Sequence, residues 1–132
     1  MITINKPSRE FIDLDFSFDM HPVTSNVSIK KGNNAVKQSI LNLLKLKTGD
    51  KPFHPEIKSP IYDYLFENAS LIVQIVLEGE ILKYINNFEP RVSIDTVSVS
   101  FPDNNTIACN IVGTMVNVSE PFSINIMIDR LR

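Results

Sequence analysis

The sequence predicts an α+β fold, with about three helices packed on one face of a mainly antiparallel sheet that ends in a three-strand meander. Three observations carry this expectation. Apolar residues recur at helical spacing from Val36 to Phe88, Pro90 closes that region, and from Val92 onward the apolar period becomes that of strands separated by turn residues. The chain has 132 residues, 43% hydrophobic and 21% charged, which is the length and composition of one folded domain with a single core. Residues 1–28 are expected to form an extended arm and residues 29–132 the α+β domain.

Glu10, Asp13, Asp15 and Asp19 alternate with Phe11, Ile12, Leu14, Phe16 and Phe18, the period-2 pattern of an edge strand or extended arm with apolar even positions. Pro22 and Thr24-Ser25-Asn26 break it, and Val27 to Ile29 reads as a short strand before a Lys30-Lys31-Gly32 turn. Asn33 or Asn34 caps a helix running to about Thr48, with Val36, Ile40, Leu43 and Leu44 inward, Lys37, Gln38, Asn42 and Lys45 outward, and Gly49 as its stop. Pro52, Pro55 and Pro60 make the next stretch an ordered loop, the kind of rigid segment that carries recognition. A short helix spans Pro60 to Phe66, with Tyr62, Leu65 and Phe66 able to face the core.

From Ser70 to about Asn87 the apolar stripe Val73, Leu77, Ile81, Tyr84 and Phe88 is widened by Leu71, Ile75 and Leu82 beyond what one buried face needs. Two environments satisfy such a helix: the sheet plus another protein chain, or a central position in a monomer. Val92 to Phe101 alternates but changes phase between Ile94 and Val97, which predicts a β-bulge. Pro102-Asp103-Asn104-Asn105 turns the chain into a strand from Thr106 to Val118. The last run sets Phe122, Ile124, Ile126 and Ile128 against Ser123, Asn125 and Asp129.

Composition removes several function classes. A net charge of −2 gives no general attraction for nucleic acid. The chain shows no apolar run of membrane-spanning length, and its start lacks a secretory signal, so an intracellular site of synthesis is expected. The sequons at Asn26, Asn68, Asn104 and Asn117 are then chance matches in an Asn-rich chain. One cysteine, Cys109, cannot form an internal disulfide, and His21 and His54 are too far apart in sequence for a zinc ligand set, so no metal and no cofactor is expected. Four glycines, Gly32, Gly49, Gly79 and Gly113, make no phosphate-cradling loop, and no serine sits in a nucleophile elbow.

Among the acidic residues, Glu67 and Glu89 are the candidates for a glycosidase pair, although no spacing specifies one and both have structural readings. Six lysines from Lys30 to Lys51 face one acidic residue, Asp50. That is a solvated helix face or a dock for an acidic surface, either the Glu10–Asp19 arm or a partner. Glu89-Pro90-Arg91 holds an acid and a guanidinium around a rigid proline, which lets Arg91 present its planar fork at a fixed angle.

Two motifs resemble a known family. They are Thr48-Gly49-Asp50-Lys51-Pro52-Phe53-His54-Pro55-Glu56 followed by Tyr64-Leu65-Phe66-Glu67-Asn68, and Phe88-Glu89-Pro90-Arg91 at a helix end. In this order they resemble the small baseplate wedge proteins of contractile-tailed phages, with relatives in type VI secretion baseplates, and the resemblance spans roughly Ile29 to Ile128. Lys51 stands where the family loop has arginine, and Ile57-Lys58 where it has Phe-Gly; Glu89-Pro90-Arg91 matches the family signature in full.

The resemblance implies a non-enzymatic subunit of the virion tail baseplate, assembled in the host cytoplasm. It implies other wedge proteins, the tail sheath and tail tube or hub proteins as partners, and no nucleic acid or membrane. It also implies that the family fold is similar to part of the sheath protein, in which neighbours share strands. The expected partner-binding residues are Glu89, Pro90 and Arg91, with Pro52, Phe53, Pro55 and Glu56 as a second contact loop. Replacing Arg91 by alanine should leave the fold intact and block assembly. The family has also carried the name tail lysozyme, so a peptidoglycan-cleaving enzyme is the alternative. A Glu89 beside Arg91 argues against it, because a general acid needs a raised pKa and the cation lowers it. A cytoplasmic adaptor using the same sheet edge is a third reading.

Overall fold

The structure, a computed structural model, describes residues 10–116 and 118–130. Its elements are β1 (Ile12–Leu14), β2 (Ile29–Lys31), α1 (Asn33–Lys45), α2 (Ile61–Tyr64), α3 (Leu71–Phe88), β3 (Val92–Asp103), β4 (Thr106–Met115) and β5 (Val118–Asp129). β1 and β2 form an antiparallel hairpin, and β3-β4-β5 form an antiparallel meander in sequence order. The fold is the expected α+β arrangement. Val36, Ile40 and Leu44 of α1, Ile61 of α2 and Leu77, Ile81 and Ile85 of α3 are fully buried with Ile111 of β4. Each such side chain contributes about 1.5–3 kcal/mol of burial.

Several boundaries differ from the sequence reading, each for a local reason. The arm is extended over Ile12–Leu14, turns at Phe16 and Ser17, and regains a single bridge at Met20 and Val27. Lys30 and Lys31 belong to β2 rather than to a turn, because Lys30 pairs across the ladder with Asp13 and its ammonium lies 3.4 Å from Asp15. Gly32, at φ 55°, caps α1 in place of Asn33 or Asn34; the Asn33 side chain instead donates to Glu120 at 2.6 Å. The helix ends at Lys45 rather than Thr48, because Leu46 turns extended and gives its carbonyl to the Ser59 N–H at 2.9 Å. Gly49, at φ 88°, lies in the turn beyond. In and after α2 the inward residues are Ile61 and Leu65, and Phe66 is exposed.

α3 begins where Ser70 accepts the Val73 N–H at 3.2 Å. Its inner face, Leu77, Ile81, Tyr84 and Ile85, is buried, and Tyr84 donates to the Leu43 carbonyl of α1 at 3.1 Å. The register of β3 on β4 slips between Ile94 and Thr96, where the change of phase predicted it. The bulge brings the β3 backbone over Gly113: a Cβ there would stand 2.5 Å from the Ser93 carbonyl oxygen. β4 ends at Met115 rather than Val118, which opens β5. Asn117 lies outside the described residues.

Candidate functional site

Glu89 is the residue on which α3 ends, and its N–H still bonds the Ile85 carbonyl at 2.8 Å. Pro90 then forces the chain out of helical geometry and stands exposed, so Glu89 and Arg91 are brought round onto the same side of the junction. Arg91 Nε donates to Glu89 Oε1 at 2.6 Å and Nη2 to Oε2 at 2.7 Å, the two-pronged geometry that only a guanidinium makes. Ser39 of α1 donates its hydroxyl to the same Oε2.

The Glu89 side chain is thus buried, the residue being 2% exposed, and satisfied from within. Burial alone would raise its pKa, but the Arg91 and Ser39 hydrogen bonds and the Arg91 charge together hold it below the ordinary carboxylate value. The Arg91 Cζ lies over the Phe11 ring, 5.4 Å from its centroid. Two of the three expected binding residues therefore turn inward, and Pro90 is the one left fully outside.

The second expected loop behaves differently. Pro52, Phe53, Pro55 and Glu56 are all exposed, and Phe53, at 98%, stands at the tip with φ 65°, a left-handed conformation that a bulky residue rarely adopts. The loop is tied below the tip by Ser59 on Leu46 and by Lys58 to Asp63 at 2.9 Å. His54 Nδ1 sits 2.9 Å from Glu56 Oε1, and the Glu56 carboxyl is held low by its own backbone N–H and then by His54. A shallow groove of about 270 Å³ runs from Glu56 and Lys58 to Asn87 and Phe88, so the loop and the end of α3 border one surface depression.

The glycosidase pair is not brought together. Glu67 is exposed before α3 and Glu89 follows it, so the 18 residues of that helix stand between them. At 1.5 Å per residue this is roughly 27 Å, against the ~10 Å limit for two carboxylates flanking one bond. The Cys109 thiol is buried in the sheet core and pushed up to about 12, chiefly by burial. Among the described residues no group of three or more His, Cys, Asp or Glu is placed to hold a metal, and no helix is long and apolar enough to cross a membrane.

Two edges flank the meander, and they are not equivalent. Arg130 donates its N–H to Asn105 at 2.7 Å, which continues the β4–β5 ladder and fixes its phase. Because strand amides alternate sides, Ile124, Ile126 and Ile128 point their backbone groups at β4, while Ser123, Asn125, Met127 and Asp129 point theirs outward. Pro121 occupies an outward position, where the N–H it lacks would have had no ladder partner. On β3 the same phase turns the Val99 N–H outward, and there Glu78 of α3 takes it at 2.9 Å. The carboxylate thus takes one outward amide of β3; the outer edge of β5 carries no strand among the described residues.

Sequence reasoning missed Phe11, Gln38, Ser39 and Glu78. Gln38 was expected on the outer side of α1, yet it is buried, donating to the Leu14 carbonyl at 2.6 Å and accepting the Phe16 N–H at 3.3 Å. Its spacing carries no signal of this: two residues from both Val36 and Ile40, it lies roughly 200° round the helix from them, and it is the arm that covers that side.

Comparison with known proteins bears on these surfaces. The profile of a family described as baseplate wedge protein gp25 matches residues 30–119. The baseplate wedge protein gp25 of Enterobacteria phage T4 is 31% identical over 99 residues, covering 75% of this chain and 72% of that protein. Among solved structures, a putative tail lysozyme from Geobacter sulfurreducens is similar in fold, with TM-score 0.66, 17% identity, and coverage of 74% of this chain and 89% of that one. A chain of the anti-feeding prophage baseplate is also similar, with TM-score 0.63, 20% identity, and coverage of 93% and 88%.

Proposed function

The chain belongs to the baseplate wedge protein gp25 family, and on that premise we propose that it is a non-enzymatic structural subunit of a contractile-tail baseplate that nucleates the tail sheath. The observation that carries this reading is the outer edge of β5, a 12-residue strand whose outward amides and carbonyls meet no partner among the described residues, whereas on β3 the outward Val99 amide is taken by Glu78. An open edge of that length is an aggregation hazard in a protein that works alone, and an acceptor for a strand of a neighbouring protein in one that assembles. The sheath protein is the proposed donor. Other wedge proteins meet the opposite features, Pro90 with the remaining edge of Arg91 and the Pro52-Phe53-Pro55-Glu56 loop, and tail tube or hub proteins are further neighbours. Glu89 serves this surface by holding Arg91 rather than by touching a partner. The Phe53 tip supports the contact role, because this strained aromatic on a braced loop is 98% exposed among the described residues. The subunit works in the virion and joins the baseplate in the host cytoplasm. The separation of Glu67 from Glu89 supports the non-enzymatic reading over a lysozyme.

The test is co-expression with the sheath and wedge proteins of the same genome, followed by size-exclusion chromatography. Asn125→Pro removes one outward N–H and should fold, enter wedge complexes and fail to recruit sheath. Ile126→Pro removes a ladder N–H and should fail to fold. Phe53→Ala should fold and lose wedge co-elution. Normal sheath attachment to Asn125→Pro would defeat the nucleation reading, and peptidoglycan turnover by the purified chain would defeat the non-enzymatic one.

A further inference from the structure

We propose that Arg91 is a positioning residue for the amino-terminal hairpin: its fork is held by Glu89, its charge lies over the Phe11 ring, and the hairpin is thereby fixed with its apolar row turned to solvent. The hairpin lies on the body in an unexpected sense. Asp13 and Asp15, with Phe11, occupy its half-buried inner side, whereas Ile12, Leu14 and Ile29 are exposed on the outer side, where Leu14 and Ile29 are cross-strand partners. Apolar burial, the usual force that docks a hairpin, therefore acts here only through Phe11, which packs against the core, while Ile12, Leu14 and Ile29 stay in water.

What holds the hairpin is a short set of directed contacts. Gly32 donates to the Phe11 carbonyl at 2.8 Å, Gln38 bonds the backbone of Leu14 and Phe16, and the Phe11 ring lies on the Arg91 guanidinium. Arginine suits both contacts: its planar fork gives two parallel hydrogen bonds to the carboxylate while its delocalised charge lies over the ring, and a lysine ammonium, a point charge without the fork, would not be held in that place. Asp13, on the same inner side, adds its charge to that of Glu89 in stabilising the Arg91 cation. Proline between Glu89 and Arg91 then has a second consequence. By restricting the junction backbone it keeps Arg91 close to Glu89, and the two hydrogen bonds from that carboxylate then hold the guanidinium where Phe11 lies. This inference concerns the chain alone and stands or falls independently of the wedge reading.

Amide hydrogen exchange on the full chain tests it. In Phe11→Leu, which keeps an apolar side chain but removes the π face, the amides of Asp15, Ser28 and Gly32 should exchange roughly 2- to 30-fold faster, while those of α3 and β4 stay unchanged. Phe11→Tyr should restore protection. Arg91→Lys should match Phe11→Leu at the hairpin. Unchanged hairpin protection in Phe11→Leu, or equal loss in Phe11→Tyr, would overturn the proposal, since either would mean that shape alone or the backbone bonds alone hold the hairpin.

Discussion

At the scale of the residue, the Glu89–Arg91 pair shows how a recognition signature and a structural pair can occupy the same side chains. The sequence suggested that Arg91 reaches outward and that its removal would spare the fold. With Glu89 buried against it, Arg91→Ala leaves a carboxylate facing Ser39 alone and should destabilise the chain by about 2–4 kcal/mol at neutral pH. The sign with pH follows from the lowered pKa of Glu89. The ionised carboxylate contributes stability that is fully present above its ordinary value near 4.5 and is lost as pH falls through the lower folded value. Urea midpoints of the wild type and Arg91→Ala should therefore converge on acidification; a gap that stays constant through that range would show that the pair is not the source. This also makes Arg91→Ala a poor test of assembly, and Phe53→Ala a better one, because Phe53 has no burial to lose.

At the scale of the element, β3 and β4 owe their fit to one bulge and one glycine. The phase change around Asp95 was legible because alternation is local: two neighbouring side chains of one strand reveal which face they serve. The glycine opposite was not, since nothing in the sequence says which residue of β4 will lie beneath the displaced backbone. Gly113→Ala should cost about 1–3 kcal/mol, measured as a drop in urea midpoint with unchanged slope, because its Cβ would press on the Ser93 carbonyl rather than on a movable side-chain end. Ala substitution at Gly79 meets open space and is the matching control. The ends of α1 were misread for a related reason. A cap is decided by which carbonyl or amide a distant loop supplies, here Ser59, and propensity at Asn33, Asn34 or Gly49 does not contain that information.

At the scale of the whole molecule, the exposed apolar surface is large for a chain meant to stand alone. Leu71, Ile72, Ile75 and Val76 leave the outer, amino-terminal half of α3 uncovered, with Phe66 exposed just before it. The excess width of the apolar stripe had predicted two buried sides, and the body of the chain covers one. The paired substitution Ile72→Lys with Ile75→Glu should raise the solubility of the isolated chain and leave its melting temperature within a few degrees, since neither residue is in the core. A large fall in melting temperature would show that the face is packed in solution after all. By itself the sequence determined the class of the fold, the meander, the bulge, the long helix and the two family motifs, because periodicity, proline and turn chemistry act between residues close in the chain. It could not determine that the arm covers Gln38, that Phe11 lies against Arg91 or that Glu78 takes an outward amide of β3. Those contacts join residues 21 to 80 positions apart, and only the tertiary packing brings their polar and aromatic groups together.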